Sequence, residues 1–185
     1  MKLDRRSTWR RAFTIGVASL VMGCGMVVST PARHRPPLPD PDPMPDLAVE
    51  DVVEQLTAMG FDCWFDPPGD IGSSWNCRQG DQDADDYFDV TISSEESGPI
   101  DGVSAYMHVG REEDPIDAEV LDSIGAEAFE QILALVVPEE HRPTTDELHV
   151  GMQRNFPIEL GGGWYLGFDR NIVSRSLRIL HATDP

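Results

Sequence analysis

Lysine is almost missing from this chain: among 185 residues it occurs once, as Lys2. Basic residues are scarce altogether, 14 against 33 acidic ones, for a formal net charge of −19. Without residues 1–23 the balance is 9 basic to 32 acidic, a net of −23. Such a surface repels phosphate backbones, which argues against nucleic acid as a partner. The same field keeps a domain soluble and attracts cations or a basic partner. Cysteine occurs only at positions 24, 63 and 77. The five histidines are scattered over positions 34, 108, 141, 149 and 181, none at metal-ligand spacing to a second histidine or cysteine, so no zinc site is expected. Patterns for a zinc protease, P-loop, Rossmann turn or nucleophile elbow are also missing, and neither a catalytic residue nor a cofactor follows from any motif. What is present is 40% apolar residues, enough for one globular domain plus an appendage.

The appendage comes first. Residues 1–11, MKLDRRSTWRR, are basic, and the uncharged run AFTIGVASLVMG leads from them to Cys24. That run has the length of a secretory apolar segment. Val21-Met22-Gly23-Cys24 resembles the lipobox of bacterial envelope lipoproteins: Val21 and Gly23 fit the pattern, and Met22 is larger than its usual small residue. The resemblance implies a signal peptide over 1–23, a diacylglycerol on the Cys24 sulfur, and Cys24 as the first residue of the mature protein. At about 0.8 kcal/mol per buried CH₂, two acyl chains suffice for stable anchoring where one is marginal. Arg10-Arg11-Ala12-Phe13 is similar to the core of a twin-arginine export signal.

Two alternatives stay open. Apolar character continues through Val28, so residues 12–29 could form a single anchor helix of about 27 Å against a hydrocarbon core of roughly 30 Å. Cleavage after Thr30-Pro31-Ala32 would instead release the protein. In all three cases the body of the chain lies outside the cytoplasm, as the basic residues before the run also predict.

Ala32 to Asp46, ARHRPPLPDPDPMPD, alternates proline with charge and reads as an extended spacer. The expected organisation is therefore a signal peptide at 1–23, a lipid-anchored tether at 24–45 and a globular α+β domain at 46–185. Asp46 can cap a helix with Val49, Val52, Val53, Leu56 and Met59 on one stripe and Gly60 as its stop. Residues 61–66 and 74–79 then flank a Pro/Gly-rich turn. Pairing them about Asp70 sets Cys63 opposite Cys77 and Phe65 opposite Trp75, within reach of a disulfide. Tyr87–Ser93 and Val103–Val109 alternate as two further strands. Asp114-Pro115 suits the first turn of a helix bearing Leu121, Ile124, Ala128, Ile132 and Leu135, with Gly125 as a potential break and Pro138 beyond its end. Thr144 and Glu147 form a capping box for a helix to about Arg154, and strands follow at 164–169 and 174–181. The order α-β-β-β-β-α-α-β-β implies an antiparallel sheet of about six strands with helices on one face.

Alternation also names the residues on the other face. Trp64 points away from the cystine side, beside Asp62, Asp66, Asn76 and Arg78. Ser104, Tyr106 and His108 follow one another along a single strand face, with Arg78 or Asp89 as neighbours. Trp64, Arg78, Ser104, Tyr106 and His108 form the candidate binding face, the expected ligand being a protein of the cell envelope. A small hydrolase working with carboxylates and His108 is the catalytic alternative, and it demands a concave polar cleft there. Asp81, Asp83 and Asp85 match the start of a calcium loop, but Asp86 stands where glycine belongs and Ile92 where glutamate belongs, leaving a weak cation site at best. Intact-mass analysis of membrane-extracted protein tests the anchor: the expected species begins at Cys24 and carries a diacylglycerol, whereas an unmodified chain beginning at Met1 or Arg33 would exclude it.

Overall fold

The computed structural model describes residues 38–69, 72–81, 85–110 and 116–182. The lipobox with Cys24, Asp83 and the Asp114-Pro115 pair lie outside the described residues.

Helix α1 (Val49–Ala58) buries Val49, Val52 and Leu56 and leaves Val53 and Met59 half-covered, as its 3.6-residue stripe predicts. Asp46 does not cap it. Ala48 holds the N-cap position without a side-chain bond, and Asp46 takes a left-handed φ of 54° in the turn before it. The other end is as expected: Gly60 has φ 94°, its N–H donates to Thr57 O, and the Phe61 N–H donates to Leu56 O. This paired closure needs a left-handed residue, which glycine adopts without strain.

Strands β1 (Asp62–Gly69) and β2 (Gly72–Asp81) form the hairpin in the expected register, Cys63 opposite Cys77 and Phe65 opposite Trp75. Cys63 and Cys77 are disulfide-bonded with their Cα atoms 4.0 Å apart. That spacing belongs to the closer, non-hydrogen-bonded class of antiparallel pair. Closing about 15 residues contributes about 3 kcal/mol in the chain-entropy account. Strands β3 (Asp86–Ser94) and β4 (Ile100–Val109) follow, burying Phe88, Val90 and Ile92 and, opposite them, Val103, Ala105 and Met107.

Helix α2 (Ala118–Val136) starts at Asp117, whose carboxylate accepts from Glu119 N and Val120 N. Gly125 does not break it. A Cβ there would lie 3.2 Å from Met152 Sδ and 3.3 Å from Arg175 Cγ, so the glycine makes room for two partners. The buried stripe is also rotated from the expected one: Leu121 and Ile132 hold, while Asp122, Gly125 and Phe129 replace the half-buried Ile124, Ala128 and Leu135 at its centre. Arg142 closes the C-terminal end by donating to the carbonyls of Val137 and Ala134.

Helix α3 (Thr145–Arg154) carries the capping box: Glu147 N donates to Thr144 Oγ1, and Thr144 N to Glu147 Oε2. The Thr144 backbone and side-chain bonds hold the Glu147 carboxyl below its ordinary pKa.

Three strands complete the sheet, β5 (Ile158–Gly161), β6 (Trp164–Arg170) and β7 (Ser174–His181). The sheet is therefore one of seven antiparallel strands, in the order β1-β2-β3-β4-β7-β6-β5, instead of about six. Sequence reading misses β5 because three residues between Pro157 and a glycine triplet, with the first of those glycines, show too little alternation to stand out. All three helices contact the sheet, α1 at β1 and β2, α2 at β4 and β7, and α3 at β6. They cover the face that carries Phe88, Ala105, Leu166 and Leu177.

The Pro-rich stretch contributes to this domain as well. Asp42 N donates to His181 O and Met44 N to Ile100 O, each at 2.7 Å, and Met44 is buried in the core. Leu38 lies on the opposite face, its Cδ1 2.6 Å from where a Cβ on Gly167 would stand.

Arg175 is the largest fully buried side chain. It lies in register with Met107, on the helix-covered face of β7, and its guanidinium pairs through Nε with the buried Asp122 of α2. Further donations go to the carbonyls of Asn171, Ser174 and Ala118 at 2.7–3.1 Å. The Asp122→Ala substitution leaves this cation without its counter-charge and should cost about 3–5 kcal/mol in urea unfolding. The double change Asp122→Leu with Arg175→Met should recover much of that loss, because an apolar pair removes both desolvation penalties.

Candidate functional site

Because the helices cover one face, alternate residues of β1–β4, even-numbered on β1, β2 and β4 and odd-numbered on β3, reach solvent on the other. Trp64, Arg78, Tyr87, Asp89, Thr91, Ser104, Tyr106 and His108 all belong to that side by register. Several of them form a stacked row that runs diagonally across four strands. The Arg78 guanidinium lies 5.9 Å from the centroid of the Trp64 ring and 5.3 Å from that of Tyr87. The Tyr87 ring stacks on His108, with centroids 5.2 Å apart and planes within 9°. Tyr106 completes the row, 5.9 Å from Tyr87, its hydroxyl 3.4 Å from His108 Nδ1.

Asp89 anchors the row from below. Its two oxygens accept from Arg78 Nε and Nη2, both at 2.6 Å, in a bidentate ion pair whose side chains are 31% and 25% exposed. The hydrogen bond to Asp89 holds the Arg78 pKa above its ordinary value. A planar cation fixed between two rings is the geometry that cation–π attraction favours. Burial pushes the Tyr87 phenol up from its usual range, with the neighbouring Tyr106 adding to the effect. Nearer the hairpin tip, Thr91 donates to Asn76, and Asn76 to Asp66 at 2.8 Å.

Of the residues expected on this face, Trp64, Arg78, Tyr106 and His108 come together in the row. Ser104 shares the face, opposite Thr91 and Arg178, but takes no part in the stacking. Tyr87 is the residue that sequence reasoning passes over, although its alternation with Phe88 already places it beside Asp89. It is the centre of the row, touching Arg78, His108 and Tyr106. Trp64 is 42% exposed and ends the row on β1, the last strand of the sheet.

The hydrolase alternative needs a concave cleft with a carboxylate withdrawn from water. Tyr106 stands instead on the open sheet, 36% exposed, and the carboxylate directly across from it, Asp89, is committed to Arg78. Of the calcium-loop candidates, Asp81 ends β2 and Asp85 sits in the following turn with φ 58°. Among the described residues, no three histidine, cysteine or acidic side chains gather as a metal site.

The open face is not uniform. Its β6 portion is covered at Gly167 by Leu38, whereas the row occupies β1–β4. Among the described residues no helix is long and apolar enough to cross a membrane. No protein-family model, curated protein or solved structure matches the chain.

The phenol of Tyr87 supplies a test of the row. A raised pKa for this acid favours the fold below the ordinary tyrosine range and loses that contribution as pH climbs through the folded value. Tyr106→Phe should therefore lower the Tyr87 titration midpoint, followed by ring-carbon NMR, while burial keeps it above the ordinary value. An unchanged midpoint would show that the two hydroxyls do not interact.

Proposed function

We propose that this chain is a non-catalytic binding module, held outside the cytoplasmic membrane by a lipid on Cys24, that meets a protein of the cell envelope through the open face of β1–β4. One observation carries the reading. A single face of the sheet is covered by helices, and the other presents an organised aromatic and arginine row that ends in a half-exposed tryptophan at the sheet edge. Tryptophan, tyrosine and arginine are the residues that most often dominate protein contacts. Here they are held rigid by stacking and a bidentate ion pair, so little side-chain freedom remains to be lost on binding.

The Cys63–Cys77 disulfide supports an oxidising compartment for the folded domain. The lipobox-like Val21-Met22-Gly23-Cys24 supports the mode of attachment.

A photoreactive benzophenone side chain at position 64 of the intact, exported protein tests the reading. A discrete crosslinked adduct is expected from that position, with none from the same group at Glu127, an exposed site on α2. Equal yields from the two positions, or none from either, would overturn it.

A further inference from the structure

The row ends on Trp64 in a way that specifies the partner's chemistry, and this inference rests on the binding-module reading. We propose that the partner supplies an extended, arginine- or lysine-bearing segment that adds to the free edge of β1 and lays a cationic side chain on the outer side of Trp64.

Three observations converge. First, the inner side of Trp64 already receives a guanidinium, that of Arg78, 5.9 Å from the ring centroid. Beyond β1 the sheet has no further strand among the described residues, so the outer side of the ring offers the same quadrupole to a second cation.

Second, charge favours a cation there. Asp62 and Asp66 lie two residues to either side of Trp64, on the same face and exposed. The positive charge of Arg78 is compensated by its bidentate pairing with Asp89, so it offers little repulsion to an incoming cation. Across residues 35–185 there are 8 arginines and no lysine against 32 acidic residues, so long-range steering acts in the same sense. A second copy of this chain would meet like charge instead.

Third, the backbone at this edge is set for strand addition. The 4.0 Å Cys63–Cys77 spacing makes these two a non-hydrogen-bonded pair, so the N–H and C=O of Cys63 turn away from β2. By the same alternation those of Phe65 point outward too. A strand bonded to Cys63 and Phe65 would place its intervening residue directly opposite Trp64, in the pair type whose side chains lie closest. Pro67 and Pro68 end the usable edge, because Pro67 offers no N–H to the next position. The edge therefore accepts a short segment and resists indefinite pairing.

The experiment titrates full-length protein in detergent micelles with a synthetic peptide that alternates arginine and threonine. Two comparison peptides carry glutamate in place of arginine, or N-methyl groups on alternate residues that block edge pairing. Saturable binding of the arginine peptide is expected, weakening as salt rises, with the other two binding at least roughly tenfold more weakly. Trp64→Ala should weaken it about tenfold, as loss of one central aromatic contact does, and so should Asp62→Asn combined with Asp66→Asn. Both variants alter exposed side chains, and unchanged melting temperatures would confirm their folds. Binding unaffected by either variant, or matched by the glutamate or N-methylated peptide, would overturn the proposal. A position-64 crosslink without peptide binding would defeat the basic segment and leave the binding module standing; failure of both would defeat the two together.

Discussion

The buried ion pair between Arg175 and Asp122 is the most demanding constraint in the structure, because two charges must be met on the face that the apolar residues of β3, β4, β6 and β7 turn inward. A guanidinium withdrawn from water is tolerable only with a counter-charge and filled donor positions. Asp122 supplies the charge from α2, and three backbone carbonyls take further hydrogen bonds. Those partners come from α2, at Asp122 and at its first residue Ala118, and from the β6–β7 connection at Asn171 and Ser174, so satisfying one side chain joins the helix to that end of β7. Gly125 is tied to the same requirement, since Arg175's stem passes 3.3 Å from where its Cβ would stand. The pair thus fixes α2 against β7, near the middle of the sheet, and the flanking helices cover the same side.

From that one-sided cover the candidate site follows. A sheet roofed on one face exposes alternate residues of each strand on the other, and here β1–β4 use them for a polar and aromatic array. The array is internally satisfied: Arg78 is balanced by Asp89 and lies between two rings, while Tyr87 spans from Arg78 to His108. The row ends at the edge residue, Trp64, whose outer side faces no strand of the described sheet.

Much of this was legible in the sequence wherever the signal is local. The stripe of α1, the Thr144–Glu147 box and the cystine hairpin register each depend on residues within about one element of each other, and each is found as expected. What escaped is long-range. Asp122 and Arg175 are 53 residues apart, and composition reads both as solvent-facing although the parity of Leu177 and Ile179 puts Arg175 on the core side. Phe129, which packs on Phe88 of β3, belongs to the same long-range set. Strand β5 escaped for another reason: its pairing with β6 defines it, and four residues carry little pattern of their own. At the site, Trp64 and the Tyr106–His108 strand face were readable by alternation. The stacking order was not, because diagonal neighbours follow from sheet twist and side-chain rotamers.

The disulfide has one consequence beyond its stabilisation. In a sheet, a slip of one residue exchanges the two faces of a strand. At an edge strand with a single neighbour, hydrogen bonds alone offer weak protection against such an exchange. A covalent bond between directly opposed residues makes the parity of β1 a matter of chemical connectivity. So long as Cys63 is joined to Cys77, Cys63 must face inward and Trp64 outward. In this chain, oxidation functions as a handedness marker for the displayed edge.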